Sequence, residues 1–151
     1  MALNPNQFAQ TPEVGYLDLQ TGLNNVLTCI HLAGQTPALK AGQAVKLADN
    51  YTAIPSVQAS SISEVAFGVA VVNLKDVDYP AEARLEVART GTVMFMQASA
   101  AIARGADVQY NPATNKIATK ASTNAILGQA LDKAAADGDI IRVTINPRSG
   151  S

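Results

Sequence analysis

The sequence has little of what most functional classes need. It contains one cysteine, one histidine and no tryptophan in 151 residues. A lone cysteine, Cys29, excludes an intramolecular disulfide and a thiolate zinc site. Charged residues make up 15%, against roughly 25% in ordinary soluble domains. The eleven Lys and Arg are scattered from Lys40 to Arg148 and form no run, and the net charge is −1. A nucleic-acid binder needs a basic stripe to neutralise phosphates, so DNA, RNA and anionic membranes are excluded as main partners. No stretch approaches the ~20 apolar residues of a membrane span. The start, Met1 to Gln7, has neither the basic nor the apolar region of a secretory signal. The expected place of synthesis is therefore a cytoplasm. Aromatics at 5% leave no stacking platform for sugars or bases. Gly-x-Gly-x-x-Gly, phosphate-loop, Gly-x-Ser-x-Gly and His-Glu-x-x-His patterns do not occur.

What is present suits a packed scaffold. Hydrophobic residues make up 48%, enough for one core. The charge deficit is filled by Ala, Ser, Thr, Asn and Gln, and small neutral groups suit close packing against neighbours. Residues 1–35 stand apart, with Pro5, Pro12, Gly15, Gly22 and Gly34 among many Asn and Gln. Val14–Leu19 and Val26–Leu32 are candidate strands, and the polar lead-in before Val14 is expected to be an extended arm. Phe8, Tyr16 and Leu17 are its candidate anchors on a partner or a neighbouring subunit.

The remainder, 36–151, carries an internal repeat. Residues Pro37 to Leu47 align with Ala100 to Tyr110 through the pattern apolar-x-x-Gly-x-x-Val-x-apolar. Ile54 then falls opposite Ile117, Phe67-Gly68-Val69-Ala70-Val71 opposite Leu127-Gly128-Gln129-Ala130-Leu131, and Arg84-Leu85-Glu86-Val87 opposite Ile140-Ile141-Arg142-Val143. The order is kept throughout, which predicts two similar halves, about 36–90 and 99–146.

Each half predicts strands. Val45-Lys46-Leu47, Val108-Gln109-Tyr110, Leu85-Glu86-Val87 and Ile141-Arg142-Val143 alternate apolar and polar residues. Gly42 and Gly105 predict positive-φ turns before strands. The nearly continuous apolar runs Val65–Val72 and Ile126–Leu131 predict central strands, with Gly68 and Gly128 leaving room for a close neighbour. Arg89-Thr90-Gly91-Thr92 predicts a tight turn into Val93-Met94-Phe95-Met96, and Asn111–Asn115 a turn between two strands. The Ala-rich Gln97–Arg104 suits two turns of helix, while Thr36-Pro37 in its repeat partner speaks for a loop, and Asp132–Asp137 is expected to be a loop or a single helical turn. The fold class is all-β (mostly β): a compact β-barrel or β-sandwich of two similar halves with an extended N-terminal arm.

Chemistry finds no foothold. Cys29 and His31 share one strand face, but nothing near them in sequence supplies an orienting group or an oxyanion site. The acid clusters Asp76 and Asp78, then Asp132, Asp137 and Asp139, fall in expected loops and lack the calcium-loop pattern. No catalytic, cofactor-binding or metal residue is assigned, and no enzyme activity is expected.

The runs Arg84–Val93 and Ala101–Val108, with the closing Leu127–Leu131 and Gly138–Val143, resemble the capsid cement or head-decoration proteins of tailed bacteriophages over roughly residues 36–145. The resemblance implies a β-rich virion protein, made in a bacterial host's cytoplasm and often assembled as a homotrimer. It would bind the major capsid protein on the outside of the expanded head, where capsomers meet. Phe8, Tyr16 and Leu17 would then be capsid or subunit contacts. Two other readings stand beside it. A tail, fibre or baseplate accessory module would carry fibrous repeats or an aromatic receptor site. A biotinyl- or lipoyl-like carrier barrel would carry a Lys at the Arg89–Val93 junction, which has none.

Overall fold

Successive side chains leave opposite faces of a strand, so alternating segments settle as strands with one face buried. The computed structural model describes residues 13–18, 24–48, 55–61, 63–72 and 78–150. Among these it has twelve strands and no helix. They are β1 (Val26–His31), β2 (Leu39–Lys40), β3 (Ala44–Leu47), β4 (Ser56–Ala59), β5 (Gly68–Ala70), β6 (Asp78–Tyr79), β7 (Arg84–Ala88), β8 (Val93–Gln97), β9 (Asp107–Asn111), β10 (Lys116–Thr119), β11 (Ile126–Ala130) and β12 (Ile140–Arg148). The all-β expectation holds, and the first sheet is a barrel rather than half of a sandwich.

That barrel closes in the order β1-β4-β3-β5-β7. All its pairings are antiparallel except β1 with β4. Cys29, Val45, Val57, Ala70, Leu85 and Val87 fill its interior, with Leu39 and Tyr79 from the β2-β6 ladder. The second sheet runs β10-β9-β11-β12-β8. A single parallel bridge, Ala98 to Ile117, joins its edge strands.

The two strand orders are the same once β1, β3, β4, β5 and β7 are exchanged for β8, β9, β10, β11 and β12. Backbone hydrogen bonds match as well. Gly42 N–H donates to Ala70 O (2.7 Å) as Gly105 N–H does to Ala130 O (2.8 Å). His31 N–H donates to Ala83 O (2.9 Å) as Ala98 N–H does to Asp139 O (2.8 Å). Gly42 and Gly105 both hold φ 83, where a side chain is strained. The register opposes Val57 to His31 where Ile117 opposes Ala98. Val57, not Ile54, is therefore the counterpart of Ile117, and Ile54 lies outside the described residues. β1, from the stretch 1–35, is a stave of the barrel.

One row of side chains couples the sheets. Ala44, Val69 and Ala88 are cross-strand neighbours on the outside of the barrel. They are buried in one cluster with Met94, Tyr110, Leu127 and Ile145. One end of the second sheet thus rests on the outer wall of the barrel. β5 is consequently buried on both faces, which accounts for a run around it that does not alternate. Burying each large side chain there is worth about 1.5–3 kcal/mol.

Local expectations fare unevenly. The 89–92 segment is the expected tight turn into β8, with Thr92 N–H donating to Arg89 O (3.1 Å), but it joins no hairpin, because β7 pairs with β1 and β5 while β8 pairs with β12. It is the link between the sheets. Gln97–Arg104 is not helical: Gln97 ends β8, and Ala98 and Ile102 form bridges to Ile117 and Ala134. Asp132–Asp137 is a loop. Asn111–Asn115 does join the hairpin of β9 and β10.

Candidate functional site

Several of the groups able to do chemistry are engaged in structure. Cys29 and His31 share a face, but that face is the sealed barrel interior. Burial, with Glu86 adding to it, pushes the Cys29 thiol up to about 11, so it stays protonated and unreactive. His31 Nδ1 lies 2.9 Å from the Tyr79 carbonyl oxygen.

Asp132, Asp137 and Asp139 are held by cations or backbone. Arg142 grips Asp132 through two bonds, Nε to Oδ2 at 2.8 Å and Nη2 to Oδ1 at 2.7 Å. That hydrogen bonding keeps the Asp132 carboxyl below the ordinary aspartate value. Lys116 meets Asp137 at 2.7 Å. Asp139 accepts from the Ala135 and Ala136 amides. Asp78 lies in β6, and Asp76 lies outside the described residues. Among the described residues no group of acids, His and Cys is placed to hold a metal ion.

Residues 1–12 of the expected arm lie outside the described residues; the candidate strand that follows is described up to Asp18 and lies along β8. Gly15 N–H donates to Phe95 O (2.9 Å), Phe95 N–H to Tyr16 O (2.8 Å) and Asp18 N–H to Val93 O (2.9 Å). The segment occupies the open edge of β8, whose unpaired amides and carbonyls would otherwise face solvent. Leu17 packs on the protein's own core beside Met94, and Tyr16 is half-buried. Phe8 lies outside the described residues. Of the three candidate anchors, the described residues include Tyr16 and Leu17, both beside β8.

One surface stands out by its chemistry. Among the described residues the exposed large hydrophobics are Val26, Leu27, Leu47 and Val65. Strand directions put all four at one end of the barrel: β1 begins there, β3 ends there, and Val65 precedes β5. Leu27 and Leu47 are inward-facing in register, opposite the buried Val87 and Val57. They are exposed because the barrel's inner file runs out at this end.

Leu47, Val65, Phe67, Arg89 and Pro147 line a shallow groove of about 400 Å³ there. Phe67 packs on the barrel interior from below. The Arg89 guanidinium lies 3.7 Å over its ring and donates to the Phe67 carbonyl oxygen, a cation–π contact with a polar tether. At the rim Lys46 meets Glu64 at 2.8 Å. That bond, with the Ser61 amide, holds the Glu64 carboxyl down to about 2. No described carboxylate pairs with Arg89. The arrangement can bind an apolar surface with an acidic group at its margin; it has no group for covalent chemistry. Sequence reasoning missed these residues, because in an alternating strand an end-of-barrel Leu looks like any core Leu.

The sequence matches the family model described as phage cement protein over residues 25–145. The fold is similar to the solved structure described as the head fiber gp8.5 N base in bacteriophage phi29. The identity is 13% and the TM-score 0.56, covering 82% of this chain and 95% of that one. No curated protein matches the sequence.

Proposed function

This chain belongs to the phage cement protein family, a family of structural virion proteins, and we propose that it decorates the expanded head of a tailed phage. In this reading it binds the major capsid protein on the outer surface where capsomers meet, and opposes the pressure of packaged DNA. The family match over residues 25–145 carries the proposal. The chemistry agrees with it: few charges, and one apolar end without a described cover. A modest contact suffices when hundreds of copies act on one shell, since repeated sites multiply into high total stability. Symmetric junctions favour a symmetric oligomer, and a homotrimer is part of the reading. We also read the matching strand orders as one unit duplicated within the chain. No catalytic step is required.

A second reading, the base of a fibre carried on the head, is favoured by the fold likeness to a head fibre base. Co-sedimentation of the purified protein with expanded heads and with unexpanded proheads tests the first. Saturable binding to expanded heads alone, together with greater resistance of those heads to heat, supports cementing. Binding without any gain in heat resistance favours the fibre base. Binding to neither removes both.

A further inference from the structure

The apolar end of the barrel has a structural counterpart in the same chain, and that counterpart is occupied. Matching strands by hydrogen-bond register places Met94 where Leu27 is, since each faces the β7 or β12 residue of the same rank, Val87 and Val143. The same matching places Tyr110 at Leu47 and Ala125 at Val65. Leu27, Leu47 and Val65 are 40%, 48% and 49% exposed, whereas Met94, Tyr110 and Ala125 are 0%, 4% and 8% exposed. Met94 and Tyr110 are buried in one cluster with the wall of short aliphatic side chains Ala44, Val69 and Ala88, and Ala125 lines a small pocket beside Ala44. The molecule thus displays, inside itself, what this kind of sheet end packs against.

A second copy of the chain does not offer that wall. The wall of its barrel is already covered by its own second sheet. The corresponding row of that second sheet is Asp107, Gln129 and Thr144. Asp107 is ion-paired with Arg148 at 2.6 Å, and Gln129 Nε2 donates to Gly105 O at 2.9 Å. Pressing Leu27, Leu47 and Val65 on that row would strip water from an ion pair and an amide without replacing it, which is unfavourable. The charge pattern points outward too: Arg89 sits in the groove with no described carboxylate partner.

We propose that the barrel end formed by Leu27, Leu47, Val65 and Phe67 is the docking surface for a β-sheet face of short aliphatic residues on the capsid shell protein, with a carboxylate of that protein meeting Arg89. This rests on the cement reading and names the surface that performs it. Burial of an apolar centre with a charge at its margin is the usual anatomy of a specific contact.

The test compares wild type, the double variant Leu47→Asp and Val65→Asp, and Gln129→Arg in the corresponding row of the second sheet. Each is titrated onto isolated expanded heads, and its thermal melting and sedimentation mass are recorded. The expected result is that Leu47→Asp with Val65→Asp binds more than tenfold more weakly, while melting and mass match wild type, and that Gln129→Arg binds as wild type. Raised salt should weaken wild-type binding, and Arg89→Gln should remove part of that salt dependence. If wild type binds heads and the double variant binds within twofold of it, the surface is elsewhere and only this inference falls. If the double variant changes the sedimentation mass instead, the occupant is a second copy and the inference falls. If wild type binds no heads, the cement reading falls and takes the inference with it.

Discussion

Gly68 and Gly128 occupy the same register position in two sheets of equal strand order, and at each the carbonyl oxygen of a neighbouring strand, Ala88 or Thr144, fills the place a side chain would take. Neither glycine has a positive φ, so the requirement is one of space. Gly128→Ala and Gly68→Ala must push backbone against backbone and are each expected to cost about 1–3 kcal/mol. Urea unfolding of the two variants measures this, and an unshifted midpoint would show that the sheets part more easily than their geometry suggests.

The bidentate pair of Arg142 with Asp132 predicts a pH dependence. The folded-state carboxyl lies below 3.8, its ordinary value. Its contribution is therefore complete above that value and is lost as pH falls through the lower folded one. The group is partly exposed, so Asp132→Asn is expected to cost only about 1 kcal/mol at neutral pH. The variant should also lose less stability than wild type between pH 4 and pH 2. Parallel acid limbs for the two proteins would contradict this.

Cys29 predicts a kinetic signature. A buried thiol held up to about 11 presents almost no thiolate to a reagent at pH 8. Labelling by a disulfide reagent should be slow in the native protein, immediate in denaturant, and in between should follow the opening of the barrel. Rapid native labelling would mean that the barrel wall next to β7 opens readily.

Equivalent positions should respond unequally to truncation. Met94→Ala removes a fully buried side chain where the sheets meet and is expected to cost about 2–5 kcal/mol. Leu27→Ala, at the corresponding place on the free end, is expected to cost below about 1 kcal/mol. Calorimetry of the pair decides the matter, and equal losses would mean that the free end is covered in the isolated protein.

Much of the β content was legible in the sequence because it depends on local alternation. Leu85-Glu86-Val87 and Val108-Gln109-Tyr110 announce half-buried strands, and β7 and β9 lie there. The repeated Gly–Val pattern marked places where the hydrogen bonds turn out to match. Partner choice was not legible. Arg89-Thr90-Gly91-Thr92 has the composition of a hairpin turn, yet β7 closes onto β1 from far upstream, a pairing no local signal encodes. The Ala-rich 97–104 stretch invites a helix, but tertiary bridges at Ala98 and Ile102 commit its backbone elsewhere. The place of Tyr16 and Leu17 along the edge of β8 was not legible either, because that pairing joins residues far apart in sequence. The apolar end was invisible for the opposite reason. Leu47 and Tyr110 have the same local pattern, and only the assembled molecule shows which one is covered.

The wall of Ala44, Val69 and Ala88 is the outside of one interior and the floor of another, and this sets the protein's thermodynamic grain. Cut at the 89–92 link, the first part would expose that wall to water, and the second would lose the surface that seals Met94, Tyr110 and Leu127. Neither part then has a free energy of folding to call its own. The repetition visible in the sequence should not reappear as two steps in a melting curve: heat should take the whole molecule apart in a single cooperative event.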